Sequence, residues 1–289
     1  MNTDKNKALY KLKGFPTVYY INLDDQTDRK EFMEDQFKYW GIENYTRISA
    51  YDGRGNNDLS EILKGRYPKM MSSGEVGCVT SHLKALKYWL ENSSEDEEHL
   101  VMMEDDCDLS VAAHWGFTWR EFISCAPYDF DVIQLAIINP GELHVRMHRR
   151  FVNDFSTACY IISRHHAKKL VKLHCVGDDL YKIDQDIKPR AVADDLIYNS
   201  GLTFAIPLFL YKIAFGSSIH DIHVNVFHKS SHDGLWDFWK RQSPKVADWK
   251  PMFDYDPYFG TLSPNIVIKQ AMAEQQQSQE PKTKEMVAP

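Results

Sequence analysis

The apolar residues of this chain fall in short, separated blocks whose spacing alternates between two periods. The β-branched and aromatic run Val18-Tyr19-Tyr20-Ile21 reads as a buried strand. Beyond it Met33, Phe37 and Trp40 recur at i, i+4 and i+7, the spacing of one helix face, with Asp28 and Glu31 at capping-box distance ahead of them and Gly41 as the stop. A second strand is expected over residues 45–50, closing at the turn Tyr51-Asp52-Gly53. Ser72 and Glu75 repeat the capping-box spacing, and Val76, Val79, Leu83, Leu86 and Leu90 then mark a helix reaching to about residue 91. Acidic residues follow and read as a solvated loop. His99-Leu100-Val101-Met102-Met103 is a third buried strand, and it runs directly into Glu104-Asp105-Asp106. Further strands are expected over 131–136, 156–163 and 202–207, with a helix over 165–174. Strands alternating with helices predict an α/β chain with a mainly parallel sheet covered on both faces.

No repeat or linker interrupts this pattern, so residues 17–265 are expected to form a single domain behind a polar lead-in over 1–16. Residues 266–289, rich in Gln, Glu, Lys and Pro without periodicity, read as a disordered tail. With 43% hydrophobic and 26% charged residues, collagen-like and wholly disordered chains are excluded. The net charge of −7, with no block of Lys and Arg, argues against nucleic acid or an anionic membrane as the main partner. An acidic protein that handles an anion must neutralise it locally, and a bound cation is one way. No run reaches the roughly 18 apolar residues of a membrane span, and the start lacks the apolar core of a signal peptide. A cytoplasmic location is expected. The cysteines (Cys78, Cys107, Cys125, Cys159, Cys175) are odd in number and widely spaced, which suits reduced thiols better than a disulfide frame.

Three adjacent carboxylates at the carboxyl end of an apolar strand repel one another and lose hydration, so Glu104-Asp105-Asp106 costs stability unless a cation or strong donors compensate. Open α/β sheets bind ligands at that edge, and hard oxygen ligands there select Mn²⁺ or Mg²⁺. The same triplet also fits an acidic turn. Asp194 and Asp195 open another helical stretch, where capping is the ordinary role of an aspartate. His220, His223, His228 and His232 cluster without cysteines and fit no zinc motif. Glu75 suits a capping box as well as a site, His82 suits a buried histidine, and Asn22 and Arg29 suit a strand-end turn and a surface ion pair.

Taken in order, the segments Val18-Tyr19-Tyr20-Ile21-Asn22-Leu23 with Asp28-Arg29, Arg47-Ile48-Ser49-Ala50-Tyr51-Asp52-Gly53, the run from Gly74-Glu75 through Ser81-His82 to Ala85, Met103-Glu104-Asp105-Asp106, and Ala158-Cys159-Tyr160-Ile161-Ile162-Ser163 resemble glycosyltransferase family 25. That group includes bacterial lipooligosaccharide galactosyltransferases and collagen galactosyltransferases. The resemblance spans about residues 17–220 and departs at Thr80 and after His220. It implies a GT-A fold, a divalent ion, a nucleotide-sugar donor and inversion at the anomeric carbon. The donor would be a UDP-sugar, with galactose favoured and glucose or xylose open, and the acceptor a glycan, glycoprotein or glycolipid hydroxyl. On this reading Asn22, Leu23, Arg29, Ala50, Asp52 and Gly53 belong to the nucleotide pocket. Ser81, His82 and Glu75 belong to its wall, Glu104 or Asp105 faces the ribose, and Asp106 holds the metal. Glu104, His220 and His223 are further metal ligands in prospect. Asp195 is the favoured general base, with Asp194 as its partner and Glu75 in reserve. The stretch 207–265 would be the acceptor side, with Trp236, Trp239 and Trp249 as a stacking platform. The rival readings are a metal-dependent phosphoester hydrolase and a carbohydrate-binding protein that has lost turnover.

Overall fold

A computed structural model describes residues 9–139, 141, 143–183, 191–216 and 228–255. Its centre is a sheet ordered β2-β1-β3-β7-β5-β10-β4, built from Val18–Asn22 (β1), Tyr45–Ser49 (β2), His99–Glu104 (β3), Cys107–Asp108 (β4), Val132–Ala136 (β5), Cys159–Ser163 (β7) and Thr203–Tyr211 (β10). The short strand His148–Arg149 (β6) pairs with β10 off this path. β2, β1 and β3 are parallel, and β10 is parallel to β5. β7 runs antiparallel between β3 and β5. The mainly parallel α/β sheet is therefore present, with β7 reversed inside it and the short strands β4 and β6 antiparallel to β10. The reason is connectivity: a return without a crossover helix must come back antiparallel.

β1 shows how the pattern becomes two layers. Its residues are all buried, and alternate side chains enter opposite cores: Val18 and Tyr20 join Met33, Phe37 and Trp40 of the Thr27–Trp40 helix. Tyr19 and Ile21 join Val76, Val79, Leu83 and Leu86 of the Ser73–Asn92 helix. Each large apolar side chain so buried contributes about 1.5–3 kcal/mol.

Several local expectations change. The Thr27–Trp40 helix has Gln26 at its N-cap with no side-chain cap, so Asp28 and Glu31 do not form a capping box; Asp28 lies in the first turn, where it favours the helix dipole. Gly41 does stop the helix, at φ 67°. Ser72 and Glu75 do form the reciprocal box that opens Ser73–Asn92. β7 begins only at Cys159, because Ser156 is left-handed at φ 97° and cannot extend the strand. β10 runs past Pro207, which sits where its register with β5 shifts and a ladder donor is not needed. The hairpin of Cys175–Gly177 (β8) and Leu180–Tyr181 (β9) had no signal in the sequence. Trp239 and Trp249 are core residues stacked on each other, with centroids 5.9 Å apart, so they offer no acceptor platform. Trp236 is only partly buried against the same core, with the His232 ring stacked on it. All five cysteines are free thiols, with Cys125 exposed. No helix among the described residues is long and apolar enough to cross a membrane. The expected tail from 266 onward lies outside the described residues.

Candidate functional site

The carboxyl ends of β1, β2 and β3 open into a cleft. Its lining brings together Asn22, Leu23, Arg29, Ala50, Asp52, Gly53, Ser81, His82, Glu104, Asp105 and Asp106, residues up to 84 positions apart in sequence. Ser81 pins the end of β2 to the second helix, its hydroxyl accepting the Tyr51 N–H at 2.8 Å. The turn at 51–53 then packs against the start of that helix with no space to spare. A Cβ at Gly53 would lie 2.0 Å from the Ser73 carbonyl oxygen, and one at Gly77 would lie 2.7 Å from that of Tyr51. Gly53→Ala is accordingly expected to cost about 1–3 kcal/mol of stability through overpacking against fixed backbone, readable as a lowered melting temperature.

The three carboxylates of the acidic motif meet three different environments. Asp105 is fully engaged: Arg29 Nη1 donates to one oxygen at 2.8 Å and Asn22 Nδ2 to the other at 2.8 Å. Burial pushes its carboxyl up, while Arg29 and Asn22 pull it down. Asn22 is itself held, donating also to the Gln26 carbonyl and accepting from Arg47 Nε at 2.8 Å. Arg47 is braced in turn by Asp24 at 2.5 Å. Arg29 Nη2 reaches the Phe215 and Gly216 carbonyls, tying the motif to the chain after β10. This makes Asp105 the floor of the cleft. Asn22→Ala leaves part of the network unpaired in a buried place and should cost about 1–3 kcal/mol, measurable by chemical denaturation.

Glu104 faces the other way. Its Oε1 accepts the Thr157 hydroxyl at 2.6 Å and lies 3.2 Å from His82 Nε2, while His82 Nδ1 is 2.9 Å from the Tyr160 hydroxyl. Burial would raise the Glu104 carboxyl, but the hydrogen bonds and positive charge around it hold it below its ordinary value. Asp106 has weaker help, from the Arg29 charge and its own backbone N–H alone. Its Oδ1 is buried and finds no hydrogen-bond partner among the described residues. Burial first, then the Glu104 and Asp105 charges, push its carboxyl up to about 8. A buried, unpartnered carboxylate oxygen beside two further acids is the chemistry a hard divalent cation neutralises, so the residues fit such an ion.

Of the base candidates, Glu75 turns its carboxylate back on Ser72, accepting that residue's N–H at 2.8 Å. Asp194 and Asp195 lie in the first turn of the helix Ala193–Tyr198, whose N-cap is Val192 with no side-chain cap, so neither aspartate caps it. Asp195 accepts from Asn199 at 3.2 Å. Asp194 accepts the N–H of Ser156 at 2.5 Å. Burial, opposed by Arg150 and reinforced by Glu104 and Asp195, pushes the Asp194 carboxyl up to about 6. The left-handed Ser156 is itself fixed from outside, its carbonyl accepting from Tyr198 and Gln134 at 2.9 Å each. The Ser156–Thr157 turn thus holds Asp194 by one residue and Glu104 by the next.

His220 and His223 lie outside the described residues. His232 hydrogen-bonds Asp233 at 3.2 Å, and the His228 carbonyl accepts the Tyr211 hydroxyl at 2.7 Å. Thr157 and Arg54 escaped the sequence reading, and Arg47 entered it only as part of a matching segment, with no role. Arg54 bridges Asp25 and Asp52 at 2.7 Å each on the cleft wall. A cation two residues after Asp52, beside a turn glycine, was the available signal.

Comparison with known proteins bears on this cleft. No curated protein matches the chain. Among solved structures, A197 from STIV aligns over 68% of this chain and 83% of its own, at 12% identity and a TM-score of 0.34. A mutant of Drosophila β-1,4-galactosyltransferase 7 in complex with manganese, UDP-Gal and xylobiose aligns over 54% of this chain and 51% of its own, at 12% identity and a TM-score of 0.29. Likenesses so distant carry no argument about chemistry. Residues 15–121 carry β1, β2, the helix between them, the Ser73–Asn92 helix and the acidic motif. That stretch matches the family described as glycosyltransferase family 25 (LPS biosynthesis protein), the family the sequence resembles.

Proposed function

We propose that this chain is a metal-dependent inverting glycosyltransferase that moves a sugar from a UDP-sugar to a glycan, glycoprotein or glycolipid hydroxyl. The observation that carries the reading is the orphaned Asp106 oxygen among three carboxylates, inside a cleft whose wall falls in the family-matched stretch. Asp106 would hold Mn²⁺ or Mg²⁺, which when bound neutralises charge growing on the diphosphate leaving group. Asp105, locked by Arg29 and Asn22, keeps the floor rigid so that the donor meets a preformed pocket. The turn at Asp52-Gly53, braced by Arg54, supplies the wall for the nucleoside.

Asp194 suits the general base better than Asp195. With its carboxyl near 6 it is ionised at neutral pH yet basic enough to accept a proton. The acceptor O–H proton passes to Asp194 as the acceptor oxygen bonds to the anomeric carbon. The bond from that carbon to the diphosphate oxygen breaks, and UDP leaves. Attack from the face opposite the leaving group inverts the centre. Galactose is the favoured sugar, with glucose and xylose the alternatives. Incubating the chain with a panel of UDP-sugars and candidate acceptors, with and without Mn²⁺, and reading products by mass spectrometry tests the proposal. Mn²⁺-dependent sugar transfer or UDP release supports it. Phosphate release from simple phosphoesters with no action on any UDP-sugar would replace it with the hydrolase reading.

A further inference from the structure

Cys78 and His82 stand four residues apart on the Ser73–Asn92 helix and therefore share one face, and Glu104 at the end of β3 lies opposite them. One ligand atom from each, a thiol sulfur, an imidazole nitrogen and a carboxylate oxygen, lie within 4.8 Å of one another. All three residues line the cleft. This donor set differs in kind from that at Asp106. Oxygen ligands suit hard ions, whereas sulfur, imidazole and carboxylate together suit a borderline-soft ion of the zinc class. With metal–ligand bonds of about 2.0–2.3 Å, a tetrahedral site has edges of about 3.3–3.8 Å. His82 Nε2 and Glu104 Oε1 are already 3.2 Å apart.

The surroundings are those of an oriented ligand set. Tyr160 holds His82 through Nδ1 at 2.9 Å and so aims Nε2 at Glu104, and Thr157 holds the Glu104 oxygen at 2.6 Å. Hydrogen bonds of this sort, to the far side of a histidine and to a carboxylate, fix ring tautomer and ligand direction in metal sites.

We propose that Cys78, His82 and Glu104 form a binding site for a borderline-soft divalent ion of the Zn²⁺ class, separate from the hard-ion position at Asp106. The site stands on these side chains alone, so it survives or fails independently of the glycosyltransferase reading. The test is titration of the chelator-treated full chain with Co²⁺, a spectroscopic stand-in for Zn²⁺. The expected result is a near-ultraviolet thiolate-to-cobalt band that saturates at one equivalent and is bleached by Zn²⁺. It should be absent in Cys78→Ser, require at least tenfold more Co²⁺ in His82→Gln, and remain in Asp106→Asn. Absence of the band from the wild-type chain, its persistence in Cys78→Ser, or its loss in Asp106→Asn would overturn the proposal. Alkylation of the wild-type thiols, mapped by peptide mass spectrometry, gives an answer that needs no variant to fold. Zn²⁺ should slow labelling of Cys78 at least tenfold, and equal labelling with and without Zn²⁺ would also overturn the site.

Discussion

Asp106→Asn should cut sugar transfer by roughly 10²- to 10³-fold while making the metal-free chain more stable. The two effects have one cause. Burial and the Glu104 and Asp105 charges push this carboxyl up to about 8, so at neutral pH the folded chain keeps a proton there that the unfolded chain has lost. Stability from this group is present at low pH, where both states are protonated. It is lost progressively as pH rises from about 4 to about 8, because the unfolded state then binds fewer protons. Asparagine removes that penalty. Allowing for partial solvent screening, the gain at pH 8 is about 1–3 kcal/mol, or several degrees in melting temperature for a chain of this size. It should vanish below about pH 4. A variant that retains full Mn²⁺-dependent turnover, or that melts lower than wild type at pH 8 without metal, would contradict the assignment.

Asp194→Asn is the second large expected loss. If this carboxylate accepts the acceptor's proton, the amide should reduce turnover by roughly 10²- to 10⁴-fold while leaving UDP and Mn²⁺ affinity near wild type. The wild-type pH profile should fall on the acid side near pH 6, as the raised carboxyl of Asp194 takes up its proton. The residual activity of the variant should lack that limb. Asp195→Asn should keep it. Should Asp195→Asn lose the limb and Asp194→Asn retain it, the base is the other aspartate.

Much of the fold was legible because it is local. Val18–Asn22, the Met33-Phe37-Trp40 face and the Ser72–Glu75 box follow from side-chain period and from reciprocal capping, which act over a few residues. The direction of β7 was not legible, since strand composition is the same whichever way a strand runs, and the connecting chain decides. The burial of Trp239 and Trp249 was hidden for a similar reason: an aromatic ring suits a core and a sugar platform equally well. In the cleft, the acidic motif announced itself as three charges at a strand end. The division of labour among them did not. It depends on Arg29 reaching Asp105 across 76 positions and Thr157 reaching Glu104 across 53, contacts that only the folded sheet creates. The choice between Asp194 and Asp195 likewise rests on the left-handed turn at Ser156, a non-glycine residue that gives no sequence signal for that conformation.

Calorimetric titration of UDP into the full chain, with and without Mn²⁺, tests most directly whether the cleft at the ends of β1, β2 and β3 is a metal-dependent nucleotide-sugar site. The account predicts one UDP bound per chain in Mn²⁺, with affinity at least tenfold weaker after chelation and at least tenfold weaker in Asp106→Asn. Binding of UDP with the same affinity in all three conditions, or no binding in any of them, would contradict it.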